Sequence, residues 1–323
     1  MTDAPAIPVI DIAALFGGAS PQRAHADEAV AAACRDVGFL VVTGLPHDFR
    51  FSGPLVRGIL SFFRMDEGKR LPLARRKYAP AHSNIFRGYF PVMPREIAYK
   101  EGYDMGLHAD ETAGDSPLYE SNPWPADEDA PGWQAAMRAY GAAAEAVGFA
   151  LLDALARGLG WPESSFSPHF VGGGSTLRIL RYPVRPPESW QGFEAEALVE
   201  WQGRRVPVGT RGHTDSGCMT LLAQDGVGGL QVELPSGRWA DVPTLDGSLV
   251  INLGDLMERW SGGAYRATRH RVLAPPAERF SIPFFFEPRY DTVVEGPGFP
   301  PIRYDDHLRV KYKLFTEFND VVF

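Results

Sequence analysis

Cysteine is nearly absent: Cys34 and Cys218 are the only two among 323 residues, and they form no C-x-x-C pair. That excludes a disulfide-stapled fold and a cysteine zinc site. A basic excess is missing too. Asp and Glu number 40 against 32 Lys and Arg, a formal charge of -8. This balance argues against a general nucleic-acid or anionic-membrane binder, yet a few buried arginines can still hold a small anion. Long apolar runs are lacking, since stretches such as Ile282–Phe286 fall far short of the ~20 residues that span a bilayer. The opening MTDAPAIPVIDIAALF has no basic segment leading into an apolar one, so no signal peptide is expected. A soluble cytoplasmic protein with a small-molecule partner, and no nucleic-acid or membrane partner, is the expectation.

What remains is an ordinary globular composition, 45% hydrophobic and 22% charged, on a chain long enough to bury a large core. A short strand is expected at Ile7–Ile12, a helix at Ala24–Val37 stopped by Gly38, and a strand at Phe39–Val42. Residues 53–79 have a helical pattern rich in Arg and Lys, which predicts helical structure on the surface. Residues 80–130 carry Pro, Gly and Asp with little periodicity and are expected to be irregular, as functional segments often are. Trp133, Met137, Tyr140, Ala144, Val147, Leu151 and Ala154 then step alternately by four and three, predicting one long helix over 131–159 that packs on a sheet.

From Thr176 the period becomes strand-like. TLRILRYP, VPVGTRGH, MTLLAQ, GLQVEL, RWADVP, SLVINLG, RHRVLAP and ERFSIPFFFEP are short, β-rich and separated by Gly, Pro or Asp. Eight such strands predict a mainly β protein with flanking helices, its core a double-stranded β-helix or jelly roll. The expected organisation is an N-terminal α/β region, 1–130, packing on the barrel. It is followed by residues 131–323: a helix, the jelly roll and a C-terminal helix at Asp306–Phe318 with Leu308, Tyr312 and Phe315 on one face, all in one compact unit. Residues 184–206 read as an insertion or lid.

Two H-x-D triplets occur, His108-Ala109-Asp110 and His213-Thr214-Asp215. The first lies in a polar, aperiodic stretch and reads as a decoy. The second ends a strand, where residues two apart leave the same face and can share one divalent metal. His270, which opens a later strand, is the best third ligand. Two His and one carboxylate leave three positions of an octahedral ion open, an arrangement suited to non-haem Fe(II). Three polar residues pairing at a strand end would give the same spacing. Arg279 and Ser281 shift that balance: in a strand they share a face with Pro283 and Phe285, opposite Phe280, Ile282, Phe284 and Phe286. An Arg facing into a barrel calls for an anion, and its fork fits a carboxylate.

IPVIDIAAL, CRDVGFLVVTG, GHTDSGCMTLLAQDGVGGLQV, GSLVINLGDLMERWSGGAYRATRHRV and RFSIPFF, taken in order, resemble the isopenicillin N synthase-like branch of the Fe(II)/2-oxoglutarate-dependent oxygenases over nearly the whole chain. The resemblance implies that His213, Asp215 and His270 hold iron, and that Arg279 and Ser281 bind the distal carboxylate of 2-oxoglutarate. It further implies that Tyr182 lies against the same carboxylate. Leu180 and Arg181 stand where many plant relatives carry Asn-Tyr, so an Asn contact to the cosubstrate is missing or replaced. The implied reaction consumes O2 and 2-oxoglutarate, releases succinate and CO2, and oxidises a small organic substrate, with hydroxylation the leading outcome.

For the substrate pocket, Arg87 and Tyr89, in the segment that should cover the barrel mouth, suit a carboxylate or phosphate, with Tyr103 nearby and Phe285 as an apolar wall. Other readings remain open at this level. They are an isopenicillin N synthase-type oxidase without 2-oxoglutarate, an ethylene-forming type, a non-catalytic jelly-roll binding protein, and a zinc hydrolase that would leave Arg279 and Ser281 unexplained.

Overall fold

The computed structural model describes residues 7–94, 96–110, 116 and 118–313. In the N-terminal part, β1 (Val9–Asp11) is followed by α1 (Pro21–Asp36), β2 (Phe39–Thr43), α2 (Pro54–Leu60), α3 (Glu67–Arg70), β3 (Gly88–Phe90), β4 (Glu101–Gly106) and α4 (Trp133–Gly158). Ser20 starts α1 by accepting the Arg23 N–H on its hydroxyl at 3.1 Å, with Pro21 in the first turn. Gly38 ends it at φ 72°, where an added Cβ would stand 2.4 Å from the Thr268 hydroxyl. The strand region then gives β5 (Thr176–Tyr182), α5 (Glu194–Ala197), β6 (Leu198–Trp201), β7 (Arg204–His213), β8 (Met219–Gln224), β9 (Leu230–Glu233) and β10 (Trp239–Asp241). It closes with β11 (Leu249–Leu253), α6 (Asp255–Trp260), β12 (His270–Leu273), β13 (Arg279–Phe286), β14 (Val293–Val294), β15 (Ile302–Arg303) and α7 (Tyr304–Tyr312). All eight expected strands form. Phe315, expected on the face of the last helix, lies outside the described residues.

The strands make a jelly roll of two facing sheets. The large one runs β1-β2-β11-β8-β13-β5-β4-β3 and the small one β10-β9-β12-β7-β6. Alternation along each strand sorts side chains into two cores. Leu40, Val42, Leu177, Ile179, Ile282, Phe284 and Phe286 point to the helical layer. Phe39, Val41, Leu180, Tyr182 and Val250 point between the sheets, where they meet Leu230, Val232 and Val272 of the small sheet. Arg279, Ser281, Pro283 and Phe285 therefore face the barrel interior, because their alternates are committed to the helices.

Helix α4 is long and apolar enough to cross a bilayer by length and composition alone, but most of it is buried in the protein. Its Gly148 lets the Phe286 ring approach so closely that a Cβ there would lie 2.5 Å from it.

Two expectations are corrected. Residues 53–79 are helical in short successive turns over 54–73 but do not lie wholly on the surface, since Val56, Ile59, Phe62 and Phe63 bury one side. Residues 80–130 are not uniformly irregular, since β3 and β4 extend the large sheet and β4 is buried throughout. The sequence EGYDMG hides this strand because it breaks apolar alternation. Gly102 makes room for the Phe90 ring, while Glu101 and Asp104 are buried as partners of arginines.

Candidate active site

Strand β7 ends on His213 and β12 begins on His270, and the two residues are register partners across the small sheet. Asp215 follows in the turn after β7, with Oδ1 3.7 Å from each histidine Nε2. The three ligand atoms lie within 4.8 Å of one another. Each Nδ1 faces a backbone carbonyl, Arg211 O at 2.8 Å and Thr268 O at 3.2 Å. A carbonyl can only accept, so each Nδ1 carries a proton and each Nε2 is the atom turned inward. Burial, reinforced by the neighbouring His270, pushes the His213 imidazole down to about 4, which keeps it neutral and able to ligate. On Asp215, Oδ2 accepts from Thr220 Oγ1 at 2.6 Å and Asn252 Nδ2 at 2.8 Å, which frees Oδ1 for a cation. Two imidazoles that present Nε2 inward, one carboxylate and an outer ring of oriented donors fit Fe(II) with open positions.

Two cavities meet at this cluster, and His213, Asp215, Arg178 and Phe285 border both. The first, of about 100 Å3, holds Arg279, Ser281, Tyr182, Lys100, Thr210, Asn252 and Leu180 in its wall. Arg279 is 1% exposed. It donates to Gly228 O at 2.8 Å, Ser281 Oγ at 3.3 Å and Gln224 Oε1 at 3.5 Å, and its guanidinium lies 4.9 Å from the Tyr182 ring centre. These acceptors are all neutral. A buried cation without a counter-charge is unfavourable, so the cavity fits an anion such as the far carboxylate of 2-oxoglutarate.

The second cavity, of about 190 Å3, has Phe86, Phe285, Tyr290, Tyr304, Leu308 and Tyr312 as its walls, with Arg87, Arg178, Asp104 and Glu287 among them. Arg178 grips both oxygens of Asp104 at 2.6 and 2.7 Å, and Arg75 binds the same carboxylate. Arg87, 5% exposed, donates to Thr176 Oγ1 at 2.6 Å and Tyr290 OH at 3.0 Å, while among the described residues its Nε finds no acceptor.

Of the residues expected from sequence to hold substrate, Arg87 and Phe285 line this cavity and two do not. Tyr89 turns into the core, donating to Glu101 Oε2 at 2.6 Å beside Phe62. Tyr103 is fully buried among Phe62 and Trp133 and donates to Pro123 O at 2.8 Å. Both belong to the strands that the sequence hid, and their rings face the helical layer. His108 meets Glu145 Oε1 at 2.8 Å, and Asp110 ties Asn122, Trp124 and Arg138 together, so this triplet is structural. No residue of 184–206 lines either cavity. Sequence reasoning missed Thr220, Asn252, Lys100, Glu287 and the tyrosines of α7 and its approach. Only Asn252, at the end of the strand preceding an N-L-G turn, left a local signal.

The comparisons agree with this geometry. Residues 178–288 match the family described as the 2OG-Fe(II) oxygenase superfamily, and residues 7–127 match the non-haem dioxygenase in morphine synthesis N-terminal family. The chain is 33% identical to the 2-oxoglutarate-Fe(II) type oxidoreductase hxnY of Emericella nidulans, over 95% of this chain and 89% of that protein. It is 27% identical to isopenicillin N synthase of Streptomyces clavuligerus, over 90% and 86% of the two chains. A Neurospora crassa protein crystallised with alpha-KG (2-oxoglutarate) and 5-formyluracil superposes with a TM-score of 0.78 at 26% identity, covering 96% of this chain and 97% of the other. The chain belongs to the 2OG-Fe(II) oxygenase superfamily and is an enzyme that uses Fe(II) and 2-oxoglutarate to oxidise a small substrate.

Proposed function

We propose that the enzyme hydroxylates an organic acid no larger than one substituted ring, with the acid group held by Arg87. The observation that carries this reading is the buried Arg87 guanidinium in the wall of the larger cavity. Arg75 and Arg178 already share Asp104, and among the described residues no carboxylate pairs with Arg87. Size supports the limit. A cavity of ~150 Å3 admits benzene, so about 190 Å3 takes a single ring with one or two substituents. Aromatic walls favour a flat ligand. The Neurospora crassa protein, bound to a single-ring pyrimidine, is of the same scale.

On this reading His213, Asp215 and His270 hold Fe(II), while Arg279, Ser281 and Tyr182 receive the distal carboxylate of 2-oxoglutarate. Bound together, the iron and cosubstrate supply the oxidising chemistry for a C–H bond. The chain's own part is positional. Arg87 fixes the acid end of the substrate, Phe285 and Phe86 exclude water, and Thr220 and Asn252 hold Asp215 in its ligating orientation. The two N- and C-terminal family matches and the likeness to isopenicillin N synthase also support placement in that enzyme's branch.

The test is succinate release by the Fe(II)-loaded enzyme with 2-oxoglutarate, across aliphatic, monocyclic and polycyclic acids and their amides. Monocyclic acids should stimulate turnover and their amides should not. Equal stimulation by acid and amide, or a preference for polycyclic compounds, would overturn the proposal.

A further inference from the structure

Lys100 was not singled out by the sequence, and the structure gives it a specific place. Strand β4 pairs Glu101 with Arg181, and this register carries Lys100 to the level of Tyr182, which itself pairs with Arg279. Lys100, Tyr182 and Arg279 thus form one row across three neighbouring strand positions, on the face that looks into the smaller cavity. The Tyr182 ring lies between the two cations, 5.9 Å from Lys100 Nζ and 4.9 Å from the Arg279 guanidinium. From the large sheet Lys100 reaches across to the small one, donating to Thr210 Oγ1 on β7 at 3.4 Å.

The segment leading to Lys100 is tied down. Arg185 donates to Ile97 O at 2.8 Å and Glu96 O at 2.9 Å, and stacks 5.2 Å from the Tyr99 ring centre. Lys100 is therefore held over the cavity by its neighbours. Charge completes the picture. Among the described residues, neither Lys100 nor Arg279 has a carboxylate partner, and the only carboxylate lining this cavity is the metal ligand Asp215. Leu180 lines the same cavity and offers no donor. Burial alone would raise the Tyr182 phenol, yet Lys100 and Arg279, together with hydrogen bonds to Ser281 and Thr210, draw it below its ordinary value.

We infer that Lys100 is a second cation for the distal carboxylate of 2-oxoglutarate, and that with Arg279 it makes the site select 2-oxo dicarboxylates over 2-oxo monocarboxylates. The inference rests on the proposed role of Arg279 and Ser281 at that carboxylate. Lys100 and Arg279 flank the Tyr182 ring and share the cavity wall with Thr210 and Ser281, a donor set that a carboxylate with several oxygen lone pairs matches.

Calorimetric binding to the Mn(II)-loaded protein, which needs no turnover, tests it. The probes are 2-oxoglutarate and 2-oxopentanoate, which keeps the keto acid and lacks the distal carboxylate. Lys100→Met should weaken 2-oxoglutarate by about tenfold to a hundredfold, the range for one charged hydrogen bond, and leave 2-oxopentanoate and Mn(II) affinity unchanged. Lys100→Arg should restore much of the loss. Unchanged 2-oxoglutarate binding in Lys100→Met, or equal weakening of both probes, would overturn the inference. Arg279→Lys is measured in parallel. If it alone weakens 2-oxoglutarate, Lys100 is dismissed and the cosubstrate site stands; if neither variant does, the assignment of that site falls as well.

Discussion

His270 is the register partner of His213, and their rings lie 4.3 Å apart across β7 and β12. Antiparallel pairing sets this spacing before any ion arrives, and Phe39 packs 5.3 Å from the His270 ring to hold its plane. Asp215 completes the set from a turn rather than a strand, so its orientation depends on the hydrogen bonds from Thr220 and Asn252. The metal centre is rigid on its histidine side and steered on its carboxylate side.

That asymmetry gives the first prediction. Asn252→Ala, which removes one donor from Asp215 Oδ2, should lower Fe(II) or Mn(II) affinity by about 10- to 100-fold, the usual effect of losing an outer-shell partner. Asp215→Ala should abolish binding. His108→Ala should leave it unchanged. Metal titration followed by calorimetry gives all three values, and normal affinity in Asp215→Ala removes the triad.

Arg279→Lys keeps the charge and loses the planar fork. Truncating a buried charged pair costs about 2–5 kcal/mol, so 2-oxoglutarate binding should fall by tens to thousands of times while the metal still binds. Circular dichroism and metal content separate this effect from misfolding.

Arg87→Ala should raise KM for the organic acid far more than KM for 2-oxoglutarate, because Arg87 lines one cavity and Arg279 the other. Succinate made without oxidised product should also increase as the substrate sits loosely. Equal changes in both KM values would make Arg87 a structural residue only.

Glu287 is buried and accepts the Cys218 N–H at 3.0 Å. Burial first, then the nearby Asp215 charge, raises its carboxyl from 4.5 to about 8. Between these values the unfolded chain releases this proton and the folded chain keeps it, so folding stability falls as pH rises through the window. Glu287→Gln removes that liability. Its thermal stabilisation of the metal-free protein should be greater at pH about 8 than at pH about 5, where most of the window has not yet been crossed and the accumulated destabilisation is small. A pH-independent gain would place the Glu287 proton elsewhere.

Gly148→Val tests the packing of α4 on the sheet. With a Cβ only 2.5 Å from the Phe286 ring, either the helix or the strand must move, and overpacking of this kind costs about 1–3 kcal/mol. A lowered melting temperature with metal affinity retained is expected, since Phe286 points away from the barrel interior.

Periodicity alone determined the eight jelly-roll strands, the stripe of α4 and the inward face of Arg279, because each rests on local alternation that burial enforces on every residue in turn. Identity and spacing likewise marked His213, Asp215 and His270, whose chemistry few other arrangements use. The tertiary structure alone decided the rest. It drew β3 and β4 into the large sheet against a pattern of glycines and charges, since buried arginines satisfy Glu101 and Asp104 only after folding. That placement turned Tyr89 and Tyr103 into the core and set Lys100 level with Tyr182 and Arg279. Cross-strand register joins residues far apart in the chain, and a buried charge shows its partner only in three dimensions.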